Sequence, residues 1–430
     1  MTVQEKHHSD LVFINGAVYT VDRRRPWAQA VAVREGEIIF VGDNRTAETM
    51  AGSRTQVIDL KGKMVLPGFH DVHVHLYDGG MQSLQCDLWE CETADDVINR
   101  VKTYAADRVG GAREWIQCVG LQKTCTAGLN CRILDTLLPE QPLYIRTFDG
   151  HSCLANSRAL ELAGINRDTP DPPGGRIERS SGSNQPNGYL HDFAARLIAD
   201  AMPEPAMEQR ITGLESGIAS AHRFGITSII EPGVDDVLAA PYHVLSQGGT
   251  LRLRVRASIS PINWQPGAFG DDIFDFVTNR ERLRRPGIDV ESVKVYIDGV
   301  LENGSAVLLE PYSDPNFRGG TPFYSQEDLN RYITWIDSQD LQVHLHAIGD
   351  GGVRMALDAF EAALKENGPK DNRHHICHVQ MIDPKDVPRF AELNVTANFQ
   401  PLWAFPDPYV TDSGLSAVGP DRLEKFYVIG

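Results

Sequence analysis

Apolar residues follow two different rhythms along this chain. Up to about residue 63, short apolar runs alternate with turn-forming residues. Leu11-Val12-Phe13-Ile14 leads through Asn15-Gly16 to Ala17-Val18-Tyr19-Thr20-Val21. Ala30-Val31-Ala32-Val33 leads through Arg34-Glu35-Gly36-Glu37 to Ile38-Ile39-Phe40-Val41-Gly42, and Thr55-Gln56-Val57-Ile58-Asp59-Leu60 closes the series. Short β-rich runs bounded by Gly, Asn and charged residues are strand signals, and Asn-Gly is a strong tight-turn signal. Residues 1–63 are therefore expected to form a small β-sandwich, or half of one.

From residue 64 the rhythm changes to apolar strands separated by helical stretches, the pattern of βα units on a parallel sheet. The expected strands are 64–75, 227–231, 252–259, 292–298, 342–346, 375–380 and 394–400, with a helix over 205–223. They account for seven strands of a TIM-like (β/α)8 barrel, an α/β fold, within residues 64–430. Between the first two strands lies an insertion, residues 77–220. It has its own strand patterns at 115–121 and 143–147 and a Pro/Gly/Ser/Asn-rich stretch at 169–188. Insertions on that side of a barrel lie above the face that carries chemistry. A cap over the substrate and a purely structural excursion both stand open.

The 430 residues exceed the size of one ordinary core, which agrees with two domains. No run of about 18 apolar residues occurs, as a membrane span would need, and the opening residues lack the apolar stretch of a signal peptide. The default location is cytoplasmic. A net charge of −17 argues against nucleic acid or an anionic membrane surface as partner. The seven cysteines contain no CxxC pair, so reduced thiols are expected rather than a zinc ribbon.

The candidate chemistry lies at the ends of the barrel strands. The first ends in Pro67-Gly68-Phe69-His70-Asp71-Val72-His73-Val74-His75, and alternation along a strand puts His73 and His75 on one face. The fourth carries Lys294 inside an apolar run, the fifth ends at His346 and the sixth at His378. Side chains at the carboxyl ends of barrel strands converge on one mouth. Read alone, each histidine is better explained as a hydrogen-bonded core residue than as a ligand, and Lys294 as a snorkelling or paired cation. Their joint placement is what favours a divalent metal. His344 shares a face with His346 but lies deeper, so it reads as a packing residue or one that supports a ligand from behind, as do His70, His374 and His375. Trp403, after the seventh strand, is either a pocket wall or an ordinary core or exposed tryptophan.

The run from Pro67 to His75, preceded by a short β domain, resembles the amidohydrolase superfamily of metal-dependent hydrolases. The likeness narrows to its YtcJ-like branch, which includes N-substituted formamide deformylases, and runs from about residue 9 to the end. It is carried by Asp149-Gly150-His151-Ser152, Asn156-Ser157-Arg158-Ala159-Leu160, Pro172-Pro173-Gly174-Gly175 and Gly188-Tyr189-Leu190. Val293-Lys294 with Asp298-Gly299, His346-Ala347-Ile348-Gly349-Asp350 and Asn398-Phe399-Gln400-Pro401 extend it.

The resemblance implies that His73 and His75 bind one divalent metal, with zinc the first expectation. It further implies that Lys294, N-carboxylated by CO2, bridges to a second ion completed by His346 and His378. The implied reaction is hydrolysis of a C–N bond in a small amide or formamide by metal-activated water, with His151 either contacting the substrate or its developing oxyanion or holding the insertion by a structural hydrogen bond. A homodimer is compatible with the family. Two departures stand out. Cys377-His378 replaces the family's common Glu-His pair. The Asp that ends the family's eighth strand, binds metal and takes the nucleophile's proton is not reached by Gly430, so the sequence reads as truncated. A catalytically incomplete metal-binding homologue and a metal-dependent deaminase are the alternatives at this stage.

Overall fold

The computed structural model describes residues 8–107, 114–148, 150–172, 175–260, 272–302, 304–313, 315, 317, 319–405 and 415–428. Asp149, Pro173 and Gly174 of the motifs above lie outside them, as does the side chain of Trp403. The chain divides into two compact units, Met1–Phe69 and His70–Gly430.

In the first unit, Ser9–Ile14, Ala30–Arg34, Glu37–Gly42 and Ala51–Asp59 form a four-stranded sheet. Ala17–Tyr19, Trp27–Ala28 and Met64–Val65 form a second, three-stranded sheet. The turn at Glu35 (φ 52°) and Gly36 (φ 80°) makes the expected hairpin, because two left-handed residues match the twist of the strands they join. Asn15 also adopts a left-handed φ of 57°, but the strands on either side of Asn15-Gly16 belong to different sheets. The dipeptide turns the chain without making a hairpin.

The second unit is built on a seven-stranded sheet. Its strands are Phe69–Asp71 (β1), Ile226–Val234 (β2), Arg254–Ile259 (β3), Ile288–Tyr296 (β4), Gln342–Ala347 (β5), His375–His378 (β6) and Thr396–Asn398 (β7). They lie side by side in chain order, and every pair from β2 to β7 is parallel. One face is apolar: Val293, Val295, Val343, Leu345 and Ile376 pack with Ile333, Ile336, Val353, Leu357 and Phe360 of the neighbouring helices Gln326–Ser338 and Asp350–Asn367. Helices on a parallel sheet demand such runs. Lys294, His344 and His346 occupy the alternate positions, where the opposite face collects the polar groups.

The expected first strand is broken in two. Met64–Val65 and Phe69–Asp71 are separate strands, because Pro67 cannot donate a ladder hydrogen bond. Asp71 Oδ1 then accepts from His73 N at 3.1 Å and turns the chain, so His73 and His75 follow the strand rather than sit on it. His75 becomes the N-cap of the helix Leu76–Gln82 (α1).

The insertion carries a six-stranded mixed sheet, and part of the 169–188 stretch read as turn-rich belongs to it. Gly175–Arg179 and Pro186–Asp192 pair antiparallel. Ile177, Gly188 and Leu190 are buried, while Arg176, Glu178, Asn187, Tyr189 and His191 take the less buried alternate positions.

Helix α1 lies tightly against Met207–Arg223 (α2), close to the expected 205–223. A Cβ on Gly80 would overlap the Gly213 carbonyl oxygen, and one on Gly217 would stand 2.8 Å from the Leu76 carbonyl. This contact sets the direction in which the chain leaves His75. Gly80→Ala is therefore expected to destabilise the chain by about 2–4 kcal/mol in urea unfolding. Gly79→Ala, one residue away and facing open space, is expected to be neutral or slightly stabilising. Equal effects of the two would refute the close packing.

Candidate metal centre

Strand register stacks the polar face in layers. Lys294 stands beside His344, and His344 beside His375; one layer up, Tyr296 stands beside His346, and His346 beside Cys377. From the turn after β1, His73 reaches into this stack. Its Nδ1 lies 2.8 Å from His344 Nε2, and its ring centroid is 4.7 Å from that of His378 and 5.5 Å from that of His75. His346 and His378 are also in ring contact, at 4.6 Å. His73, His344 and Cys377 bring one donor atom each to within 4.8 Å of one another.

Burial sets the charge state of these groups. It pushes His375 down to about 3, and the lost hydration beside Lys294 lowers His75 to about 4 although His75 keeps an exposed side. His73, His344, His346 and His378 fall far below the ordinary imidazole value for the same main reason, with Lys294 adding repulsion. At neutral pH the rings are unprotonated, the form that ligates metals. Lys294, fully buried, is pushed down from the usual ammonium value, and its Nζ donates to Cys377 Sγ at 3.0 Å. Burial raises the Cys377 thiol, and the neighbouring amine opposes that rise.

Hydrogen bonds choose which ring nitrogen carries the proton. Gln400 Oε1 accepts from His378 Nδ1 at 2.7 Å, and the Gly299 carbonyl accepts from His346 Nε2 at 3.2 Å. The lone pairs then lie on His378 Nε2 and His346 Nδ1. His344 Nδ1 is buried without a hydrogen-bond partner among the described residues, which is costly unless another group uses that lone pair. A donor set of imidazole nitrogens and one thiol is what zinc accepts, so these residues fit the ion that the family implies. His378 is held at φ 78° and Val379 at φ 44°, sparsely populated values for residues with a Cβ.

Two buried carboxyls brace the centre from outside. Glu231 Oε2 accepts from Leu76 N (3.0 Å), Tyr77 N (3.3 Å) and the Tyr242 hydroxyl (2.6 Å), fixing the turn that follows His75. Asp298 accepts from Val307, Ile348 and Gly349 N and lies 3.6 Å from His346 Nε2. Burial raises Glu231 to about 8 and Asp298 to about 7.

The structure thus brings together His73, His75, His346, His378 and Lys294. Lys294 meets a thiol there rather than another carboxylate. His151 sits on the insertion, with its Nδ1 3.3 Å from Asp192 Oδ1 and close enough to His346 to add to its repulsion. The sequence puts His344 on the face of His346, as a packing or ligand-supporting residue because of its depth, and gives Cys377 no role; in the structure both bring a donor atom beside His73. For Cys377, only the register of β6 against β5 could have supplied the signal.

Glu231 yields a sign-defined prediction. A carboxyl whose folded pKa is raised contributes stability below its unfolded value near 4.5, and that contribution is lost as pH rises through about 8. Relative to Glu231→Gln, the native chain should lose on the order of a few kcal/mol between pH 4 and pH 9 in urea unfolding at fixed salt. A difference that does not change with pH would refute a buried, protonatable Glu231.

Comparison with known proteins agrees with this geometry. Protein LONG AFTER FAR-RED 3 of Arabidopsis thaliana is 31% identical over 431 residues, covering 97% of this chain and 72% of that protein. N-substituted formamide deformylase of Arthrobacter pascens is 25% identical over 408 residues, covering 92% of this chain and 73% of that one. The crystal structure of an uncharacterized metal-dependent hydrolase from Pyrococcus horikoshii OT3 shares the fold, with a TM-score of 0.74 at 22% identity over 97% of this chain and 79% of that chain. The pattern described as the amidohydrolase family matches residues 56–425, and with strands, register and nitrogen donors arranged as above, the chain belongs to that family.

Proposed function

We propose that the chain is a metal-dependent hydrolase that cleaves a carbon–nitrogen bond in a small amide, formamide or related molecule. The observation that carries this reading is the convergence of buried, unprotonated imidazoles and one thiol at strand ends, in a chain of the amidohydrolase family. The class of bond is taken from the relative whose name makes it a deformylase of N-substituted formamides.

His73, His344 and Cys377 are assigned to one ion, and His75, His346 and His378 to a second. Zinc suits nitrogen and sulfur donors best. A bound divalent ion supplies water acidified to near neutrality and polarises the substrate carbonyl. The chain's own groups prepare that chemistry. The unprotonated imidazoles offer their lone pairs without first releasing a proton. Burial disfavours the Lys294 ammonium, and the neutral amine is the form that adds CO2; the amine and CO2 give a carbamate and one released proton. That converts Lys294 from a nitrogen donor into an anionic oxygen donor. His151, oriented by Asp192, is assigned to substrate contact.

The test pairs metal content with turnover. Zinc-loaded protein should release formate from N-formyl amines, and removing zinc with a chelator should abolish this until zinc is restored. Cys377→Ser should weaken zinc binding by about 10–100-fold in a chelator competition, with an unchanged circular dichroism spectrum. Hydrolysis that survives both chelation and His73→Ala would overturn the reading. Intact mass after incubation with bicarbonate should show one added CO2 on the native chain and none on Lys294→Ala.

A further inference from the structure

A second feature lies in the insertion, next to the metal centre but outside it. A cavity of about 930 Å³ is walled by strands of the six-stranded sheet, by Thr147 and Phe148, and by Glu302 beyond β4. Ser152, on its wall, directly follows His151. Glu302 Oε1 accepts from Gln380 Nε2 at 3.0 Å, and Gln380 lies two residues beyond His378. The cavity therefore has a border at the residues next to the candidate site.

Its wall is a polar ladder fixed by strand register. Ser152 and His191 are directly opposed across an antiparallel pair, and Ser152 Oγ lies 2.9 Å from His191 Nδ1. His191 Nε2 lies 3.2 Å from Glu178 Oε2 on the next strand. Asn187 Nδ2 donates to Glu178 Oε1 at 2.7 Å, which holds the carboxylate in place. Ser152, His191, Glu178 and Asn187 all line the cavity, with Phe148 and Tyr189 adding ring surface. Lys123, Arg132 and Arg179 on the lining nearly balance Glu178 and Glu302, so the wall favours neither a strong anion nor a strong cation.

We propose that this cavity holds the substituent on the scissile nitrogen, and that it selects a neutral, hydroxyl-rich group over an alkyl or aryl one. The proposal rests on the hydrolase reading above and adds its substrate class. Volume alone admits either kind of group, since small-molecule sites span about 300–1,000 Å³. The wall chemistry decides between them. A saturated hydrocarbon ring placed here would strip water from the amide, hydroxyl and carboxylate groups and give no hydrogen bond back. Sites built to hydrogen-bond a substrate hydroxyl discriminate strongly against the analogue that lacks it. A polyhydroxylated ring meets the ladder along its edge and the aromatic residues with its face.

Two probes of matched ring size separate the alternatives: N-formylglucosamine and N-formylcyclohexylamine. On zinc-loaded protein the sugar amide should be hydrolysed with kcat/KM at least about 100-fold above the cyclohexyl amide. His191→Leu should lower that ratio by at least about 10-fold, mainly through KM and with zinc content unchanged, and His191→Gln should restore part of it. Equal or better use of the cyclohexyl amide, or a ratio unmoved by His191→Leu, would overturn the proposal. Binding of the same probes to zinc-free protein, read by saturation-transfer NMR, makes the two readings separable. Sugar binding that depends on His191 with no hydrolysis of either probe by the zinc-loaded protein would sustain a sugar-binding cavity and count against the hydrolase reading. Absence of sugar binding would defeat the cavity whatever the chain hydrolyses.

Discussion

Everything at the centre of this fold depends on keeping ionisable nitrogens dry. Lys294 and His344 are fully buried, and His346 and His378 are buried beside them. An ammonium or imidazolium in such surroundings would lose its hydration and face several like charges within a few ångströms. The imidazoles respond by giving up their protons, and the Lys294 ammonium is disfavoured in the same direction. The same burial that makes the cluster costly as a set of cations therefore makes it a set of lone pairs. The parallel sheet imposes that outcome: its outer face is saturated with aliphatic side chains, so polar groups on the strands have only the inner face to occupy.

Register then turns a general burial into a specific constellation. Along β4, β5 and β6, corresponding residues stack in layers, which puts Lys294 beside His344 and His346 beside Cys377 without any long loop to aim them. The elements that come from outside the sheet need separate anchors. Glu231 performs this for the turn after His75 by accepting two of its backbone N–H groups, and the glycine contact between α1 and α2 fixes the path beyond. Asp298 does the same for the segment that follows β5. Each anchor is a buried carboxyl serving backbone donors, which explains why these acids tolerate burial without a cationic partner.

Much of this was legible in the sequence, for physical reasons that vary by element. The βα rhythm exposed six of the barrel strands to within a few residues, because strands buried on one side by helices must be apolar at alternate positions or throughout. The seventh, the one leading to His73, was misjudged as continuous from 64 to 75. Pro67 and the Asp71 side chain break it, and neither effect shows in an apolar count. The hairpin 175–179 with 186–192 was hidden because Pro, Gly, Ser and Asn dominate its composition, although Ile177 and Leu190 keep the two-residue period. His73, His75, Lys294, His346 and His378 stood out as nitrogen groups at strand ends. His344 and Cys377 did not, because membership of the cluster depends on depth and on cross-strand register, quantities that one sequence does not carry.

The backbone of His378 shows what was traded for this arrangement. A left-handed φ on a residue with a Cβ costs free energy that glycine would not incur, and asparagine would incur less. Selection for fold alone would therefore favour losing the imidazole at this position. A lineage in which the centre had fallen out of use should drift there toward glycine or asparagine while the barrel strands stayed intact. Residue 378 thus serves as a molecular record: what occupies it in a descendant chain reports whether the chemistry is still under selection, independently of whether the fold survives.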